Sequence, residues 1–126
     1  MNRSQARHLL TRISLAVVFV GIGIWEIAQP SYWGMFVPPF LAWLIATNLF
    51  VVIHGFALLA VGIAVLFGAY LRFSSAVAAL IMLSIVVSLA YYFGFTDILI
   101  RDLAILFISL ALFFDDTDYL RATKAR

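Results

Sequence analysis

Four ionisable side chains, Glu26, His54, Arg101 and Asp102, interrupt stretches of sequence that are otherwise apolar. Inside a bilayer, an unpaired charge at the helix centre costs about 2.5–3.5 kcal/mol on insertion scales, so such groups face a protein interior and pair, and they mark candidate functional sites. Their positions in the sequence place them at one level. Glu26 ends the first apolar stretch, His54 lies about two turns into the second, and Arg101 and Asp102 open the fourth. Tyr91 and Tyr92 close the third stretch at the same level, and Trp25 and Trp33 flank the first. Arg101 and Asp102 project about 100° apart on a helix and do not face each other. The pairing expected by elimination is therefore Glu26 with Arg101. Asp102 is then left to accept from His54, Tyr91, Tyr92 or Trp25.

Two kinds of chemistry fit this cluster. It either locks a helix bundle as a buried ion-pair network, or it lines a cavity for a polar head group such as a quinone, with His54 or Asp102 exchanging protons. In the second case Trp25, Trp33, Tyr91 and Tyr92 are the expected pocket lining. Other chemistries lack their residues. With no cysteine in the chain, disulfides, thiol redox chemistry and thiolate metal sites are excluded. No metal-ligand spacing, phosphate loop or nucleophile–base motif is present. His8 belongs to the N-terminal arm, which leaves His54 without a second axial partner for haem. No catalytic residue is assigned, and whether the chain is an enzyme stays open at this stage.

The elements that must carry these groups are membrane helices. Of 126 residues, 66% are hydrophobic and 11% charged, against about 25% charged in an ordinary soluble domain. Four apolar stretches approach the roughly 17–25 residues that span a bilayer. The expectation is an all-α fold: one integral membrane four-helix bundle with spans near residues 10–28, 46–70, 73–93 and 98–114, and a polar C-terminal tail at 115–126. The N-terminal run could imitate a signal peptide. It ends in Trp25-Glu26-Ile27-Ala28-Gln29-Pro30 with no small-residue cleavage site, which predicts a retained helix. Pro30 stops that helix. Residues 29–40, too broken by Gly34, Pro38 and Pro39 to span and too aromatic for a solvated loop, predict an interfacial segment between the first two helices. Thr96 is placed to cap the fourth helix. Gly21 and Gly23 with Ala16, and Gly55, Gly62 and Gly68, predict small-residue faces for close packing.

Charge sets the expected orientation. With four spans, Arg3, Arg7, Arg12, Arg72, Arg121, Lys124 and Arg126 all fall on one side, and no lysine or arginine falls in the loops of the other. Three or five spans would spoil this separation. By the positive-inside rule both termini are cytoplasmic, N-in and C-in. The N-terminal arginines then read as a topology signal in contact with anionic lipid, and no nucleic-acid partner is expected. The partners expected are the lipid bilayer and other membrane subunits or a second copy of the chain.

The order of these features resembles the DoxX-like family of small bacterial and archaeal membrane proteins. The similarity lies in RISLAVVFVGIGIWE (Arg12 to Glu26), the aromatic proline loop PSYWGMFVPPF, the run FALLAVGIAVLFGAYLRFSSAVAAL across the second turn, and IRDLAILFISLALFF at the end. It covers about residues 10–116. The resemblance implies a four-helix bundle in the cytoplasmic membrane and an association with quinone-linked redox systems, the family taking its name from a subunit of a thiosulfate:quinone oxidoreductase. It implies no catalytic residue here, only that Glu26, Arg101 and Asp102 matter. The missing cysteine departs from a thiol-redox role, and Phe114-Asp115-Asp116 departs from the glycine-rich Ser-Leu-Asp ending of many relatives. The functional expectation is an accessory or anchor subunit of a quinone-linked redox system. The alternative is a structural or assembly subunit with no ligand or activity of its own.

Overall fold

The computed structural model describes the backbone of residues 1–124 and the side chains of residues 1–115. The polar-tail side chains after Asp115, including Arg121, Lys124 and Arg126 of the charge count, lie outside the described residues. The described chain is helical throughout its regular structure: α1 (Arg3–Ala28), α2 (Pro30–Trp33), a 3-10 turn (Gly34–Phe36), α3 (Pro39–Ala42), α4 (Thr47–Phe67), α5 (Leu71–Phe93) and α6 (Asp97–Lys124).

Helix ends follow local chemistry. Asn2 caps α1 in a reciprocal capping box with Gln5, so the helix starts well before the expected apolar run. Pro30 ends α1 and opens the short α2. Thr96 Oγ1 accepts from the Leu99 amide at 3.2 Å and caps α6, as its position predicts. At the C-terminus of α4, Gly68 sits at φ 72°, the left-handed conformation in which glycine carries no Cβ penalty.

Among the described residues, three helices are long and apolar enough to cross a membrane: α1, α4 and α5. At about 1.5 Å rise per residue, the 21 residues of α4 match a hydrocarbon layer of about 30 Å. Their outward faces suit lipid: Val17, Ile24, Phe56 and Phe73 are exposed. In α6, by contrast, every 18-residue stretch of the described part holds Arg101, Asp102 and one of Asp97 and Asp115.

The long helices pack as two antiparallel pairs, α1 against α4 and α5 against α6, with fewer contacts between the pairs. Lipid tails are as apolar as leucine, so association inside a membrane depends on close van der Waals fit. The α1–α4 seam supplies it through glycine. A Cβ on Gly23 would meet the Gly55 carbonyl oxygen at 2.8 Å, and a Cβ on Gly55 would meet the Gly23 oxygen at 2.9 Å and the Glu26 Cβ at 3.0 Å. Gly21, expected on the same small-residue face, has nothing within 4 Å of its Cβ position. Gly68 serves as a turn residue, and its missing side chain leaves room for the Arg12 guanidinium, whose Nη2 lies 2.8 Å from the Cβ position.

The basic arm also differs from expectation. Arg12 donates from Nη2 to the Leu66 carbonyl at 2.8 Å and from Nε to Val65 at 3.2 Å. It thus satisfies last-turn carbonyls of α4 and complements their dipole instead of reaching out to head groups. Arg7 pairs with Asp115 at 3.0 Å, and His8 Nδ1 lies 2.9 Å from the other oxygen of the same carboxylate. The start of α1 and the Asp115 region of α6 therefore share one end of the bundle.

Overpacking a fitted seam costs about 1–3 kcal/mol. Gly55→Leu is expected to destabilise the folded protein by that amount in a detergent unfolding titration. Gly21→Leu should stay within about 0.5 kcal/mol of the parent, as a substitution at an uninvolved surface site does.

Candidate functional site

At the end of the bundle opposite Arg12, a partly open cavity of about 790 Å³ lies between the helices. Glu26 from α1, His54 from α4, and Arg101 and Asp102 from α6 all lie on its wall, among apolar side chains such as Phe19, Leu58 and Ile105. The common level expected of these four groups is what the fold provides.

The pairing is not the expected one. His54 Nδ1 and Glu26 Oε2 are hydrogen-bonded at 2.9 Å, and Arg101 Nε donates to Asp102 Oδ1 at 2.9 Å. The Glu26–Arg101 ion pair does not form, and Asp102 receives its hydrogen bond from Arg101 rather than from His54, Tyr91, Tyr92 or Trp25. Two physical reasons account for this. The glycine seam presses α1 onto α4 directly beside Glu26, since the Glu26 Cβ touches the Cβ position of Gly55, the neighbour of His54. The second reason is reach. A 100° separation describes where Cβ atoms point, but an arginine chain is long enough to fold sideways and bring its inner nitrogen to the next residue.

The two pairs differ in solvation. The Glu26 side chain is buried and His54 mostly so. In the other pair Asp102 is 7% exposed while Arg101 is 47% exposed, so its guanidinium reaches outward from a sunken carboxylate. Phe50 stacks on the His54 ring, with centroids 6.0 Å apart, one turn before it on α4. The contact engages Nδ1 of the ring with the Glu26 carboxyl group.

An aromatic chain roofs the cavity. Trp25 stacks on Tyr32 at 5.2 Å and meets Trp33 edge-on at 5.3 Å. Trp33 touches Phe36, and Phe36 touches Phe93 at the end of α5. The interfacial segment thus ties the end of α1 to the end of α5. Trp33, Tyr91 and Tyr92 border the cavity as expected. Tyr91 does so at the mouth, being 81% exposed. Trp25 does not line it: its indole is spent on Tyr32 and on a 3.0 Å hydrogen bond to Gln29 Oε1. Sequence reasoning overlooked Ser88, which lies on the cavity wall. No group of three or more metal-ligating side chains exists among the described residues.

No family model matches the chain, and no curated protein or solved structure matches it.

The asymmetry of the Arg101–Asp102 pair has a measurable consequence. Arg101→Ala strands a buried carboxylate, whereas Asp102→Ala frees a half-exposed guanidinium that can extend to the interface. Arg101→Ala is expected to be the more destabilising by about 1–3 kcal/mol, with the double variant recovering part of the loss in an equilibrium unfolding cycle. At the other pair, Glu26→Gln keeps a hydrogen-bonding group opposite His54 and should cost less than Glu26→Ala in the same assay.

Proposed function

We propose that the chain is a DoxX-like membrane protein with four crossings that holds a quinone between its two helix pairs, as an accessory or anchor subunit of a quinone-linked redox system. One observation carries this: Glu26, His54, Arg101 and Asp102 all line a single cavity whose wall is otherwise largely apolar. A bundle that used these groups only as a lock would fill the space between them with side chains. At about 790 Å³ the cavity falls within the roughly 300–1,000 Å³ typical of small-molecule sites. An apolar wall with a few polar groups suits a lipophilic molecule with a polar ring.

Four crossings require α6 to enter the membrane with its charges. The Arg101–Asp102 hydrogen bond lowers that cost by presenting a pair instead of two separate ions, and the exposed arginine sits near the helix start, where it can snorkel. The Arg7 and His8 contacts to Asp115 bring the start of α1 and the Asp115 region of α6 to the same end of the bundle, as an even number of crossings requires. With the basic arm on that side, the orientation is N-in and C-in in a cytoplasmic membrane.

The alternative of a structural or assembly subunit has one observation in its favour. Both acids in the cluster already have partners, so neither demands a ligand.

Two measurements test the proposal. Reporter fusions at Pro38 and Thr96 should read external and a fusion after Arg126 cytoplasmic; an external C-terminus would overturn the four-crossing topology. Protein purified from native membranes without added quinone should carry quinone in its organic extract above the level of the surrounding lipid. Substituting His54→Phe should reduce that amount several-fold. Extracts with no enrichment, together with stable co-purification of partner subunits, would favour the assembly reading.

A further inference from the structure

The cavity is covered at its outer end and open at its side. The chain of rings from Trp25 through Tyr32, Trp33 and Phe36 to Phe93 makes the cover. On the α1 and α6 walls the apolar lining is buried at Phe19 and Ile105 and half-buried at Ile22 and Ile98. The α5 wall is different. Leu80, Ser84, Val87 and Tyr91 all border the cavity, and all four are exposed. Their spacing of four, three and four residues puts them on one face of the helix. α5 is pressed against α6 and meets α4 much less, so its free edge is the one turned to α4. On that side α4 brings Phe50 and His54 to the cavity. The opening is thus a slot along the outer halves of α4 and α5, whose inner ends are joined by the turn at residues 68–70. From Leu80 to Tyr91 the slot is about 16 Å long, at about 1.5 Å per residue.

Both α4 and α5 are long and apolar enough to cross a membrane, so a slot between them faces acyl chains. Leu80, Val87 and Phe50 at its edges are apolar, and lipid is the medium in which their exposure costs nothing. The acids lie on other walls: Glu26 on α1 and Asp102 on α6, both buried. A molecule that fits has a polar head for those walls and an apolar remainder for the slot. Its apolar part need not be enclosed. A closed cavity of about 790 Å³ would limit tail length, whereas a side opening lets a tail of any length stay in the bilayer. We propose that the cavity is entered from the bilayer through the slot between α4 and α5. The polar ring of the occupant reaches the Glu26–His54 and Arg101–Asp102 pairs, and its isoprenoid tail leaves past the exposed edge of α5. The substrate class is therefore a long-tailed quinone taken from the lipid, and not a short-tailed or water-borne one. This deepens the quinone reading and rests on it.

The test uses the full chain in nanodiscs with a ubiquinone that carries a photoreactive diazirine in its isoprenoid tail. Labelled residues are mapped by mass spectrometry with and without excess unlabelled ubiquinone. Labels that the competitor suppresses are expected at Leu80 and Val87 on α5 and at Phe50 on α4. Competed labels confined to the buried wall at Phe19, Leu58 and Ile105, or to the aromatic cover at Tyr32 and Phe36, would overturn the slot and leave the quinone reading standing. With no competed label anywhere, no quinone is held, and the reading and the slot fall together. A second measurement narrows the slot with the double variant Leu80→Trp and Val87→Trp. Both side chains are exposed, so the buried packing is left alone. Retention of a ubiquinone with a full-length isoprenoid tail should fall several-fold, and retention of duroquinone, which has no tail, should not change. Val17→Trp, on an exposed face of α1 away from the cavity wall, should alter neither. Equal loss of both quinones, or loss of neither, would overturn the passage of the tail through the slot.

Discussion

The contact on which the rest of the arrangement depends is the backbone-to-backbone approach of α1 and α4 at Gly23 and Gly55. In a medium where apolar burial supplies little association energy, this fit supplies the attraction. It also fixes register, because only one relative sliding of the two helices brings the glycines face to face. That register sets Glu26 against His54 at one end and Arg12 against the last carbonyls of α4 at the other. The cavity follows from the same contact. Two tightly closed pairs that touch each other less leave space between them, and the aromatic segment covers it.

The wall divides its polar groups into two kinds. The ionisable groups are internally compensated, as groups at membrane depth must be: the Glu26–His54 contact ties α1 to α4, and the Arg101–Asp102 contact lies within α6. The neutral Nε1 of Trp33 and Oγ of Ser88 are buried without a hydrogen-bond partner.

Much of the architecture is legible in the sequence because period, length and charge are local properties. Three of the four apolar stretches, the stop at Pro30, the cap at Thr96 and the aromatic segment are recovered; the fourth stretch forms α6, whose described part does not qualify as a membrane span, and Glu26, His54, Arg101 and Asp102 border one cavity. Pairing is not local, and there the sequence misleads. Counting angles on a helix separates Arg101 from Asp102, whereas side-chain reach joins them. Gly21 and Gly23 look equivalent along the chain, yet only one meets a partner backbone. Trp25 and Trp33 both look like pocket lining until the stack with Tyr32 removes one of them. Arg12 is counted correctly as a charge, but its partners lie more than 50 residues away at the end of α4. Ser88 carries no signal at all, because a serine that fails to bond its own helix reads the same as one that succeeds.

The double use of Arg12 bears on how the chain is made. A positive residue beside the first helix helps to decide which way that helix is threaded during synthesis. The same guanidinium later closes the open carbonyls of Val65 and Leu66, residues that emerge from the ribosome long afterwards. A first helix threaded the wrong way would carry its cation to the opposite face of the membrane. It would leave the later helix unfinished at one end and separate Glu26 from His54 at the other. Orientation error and folding error would thereby become the same event.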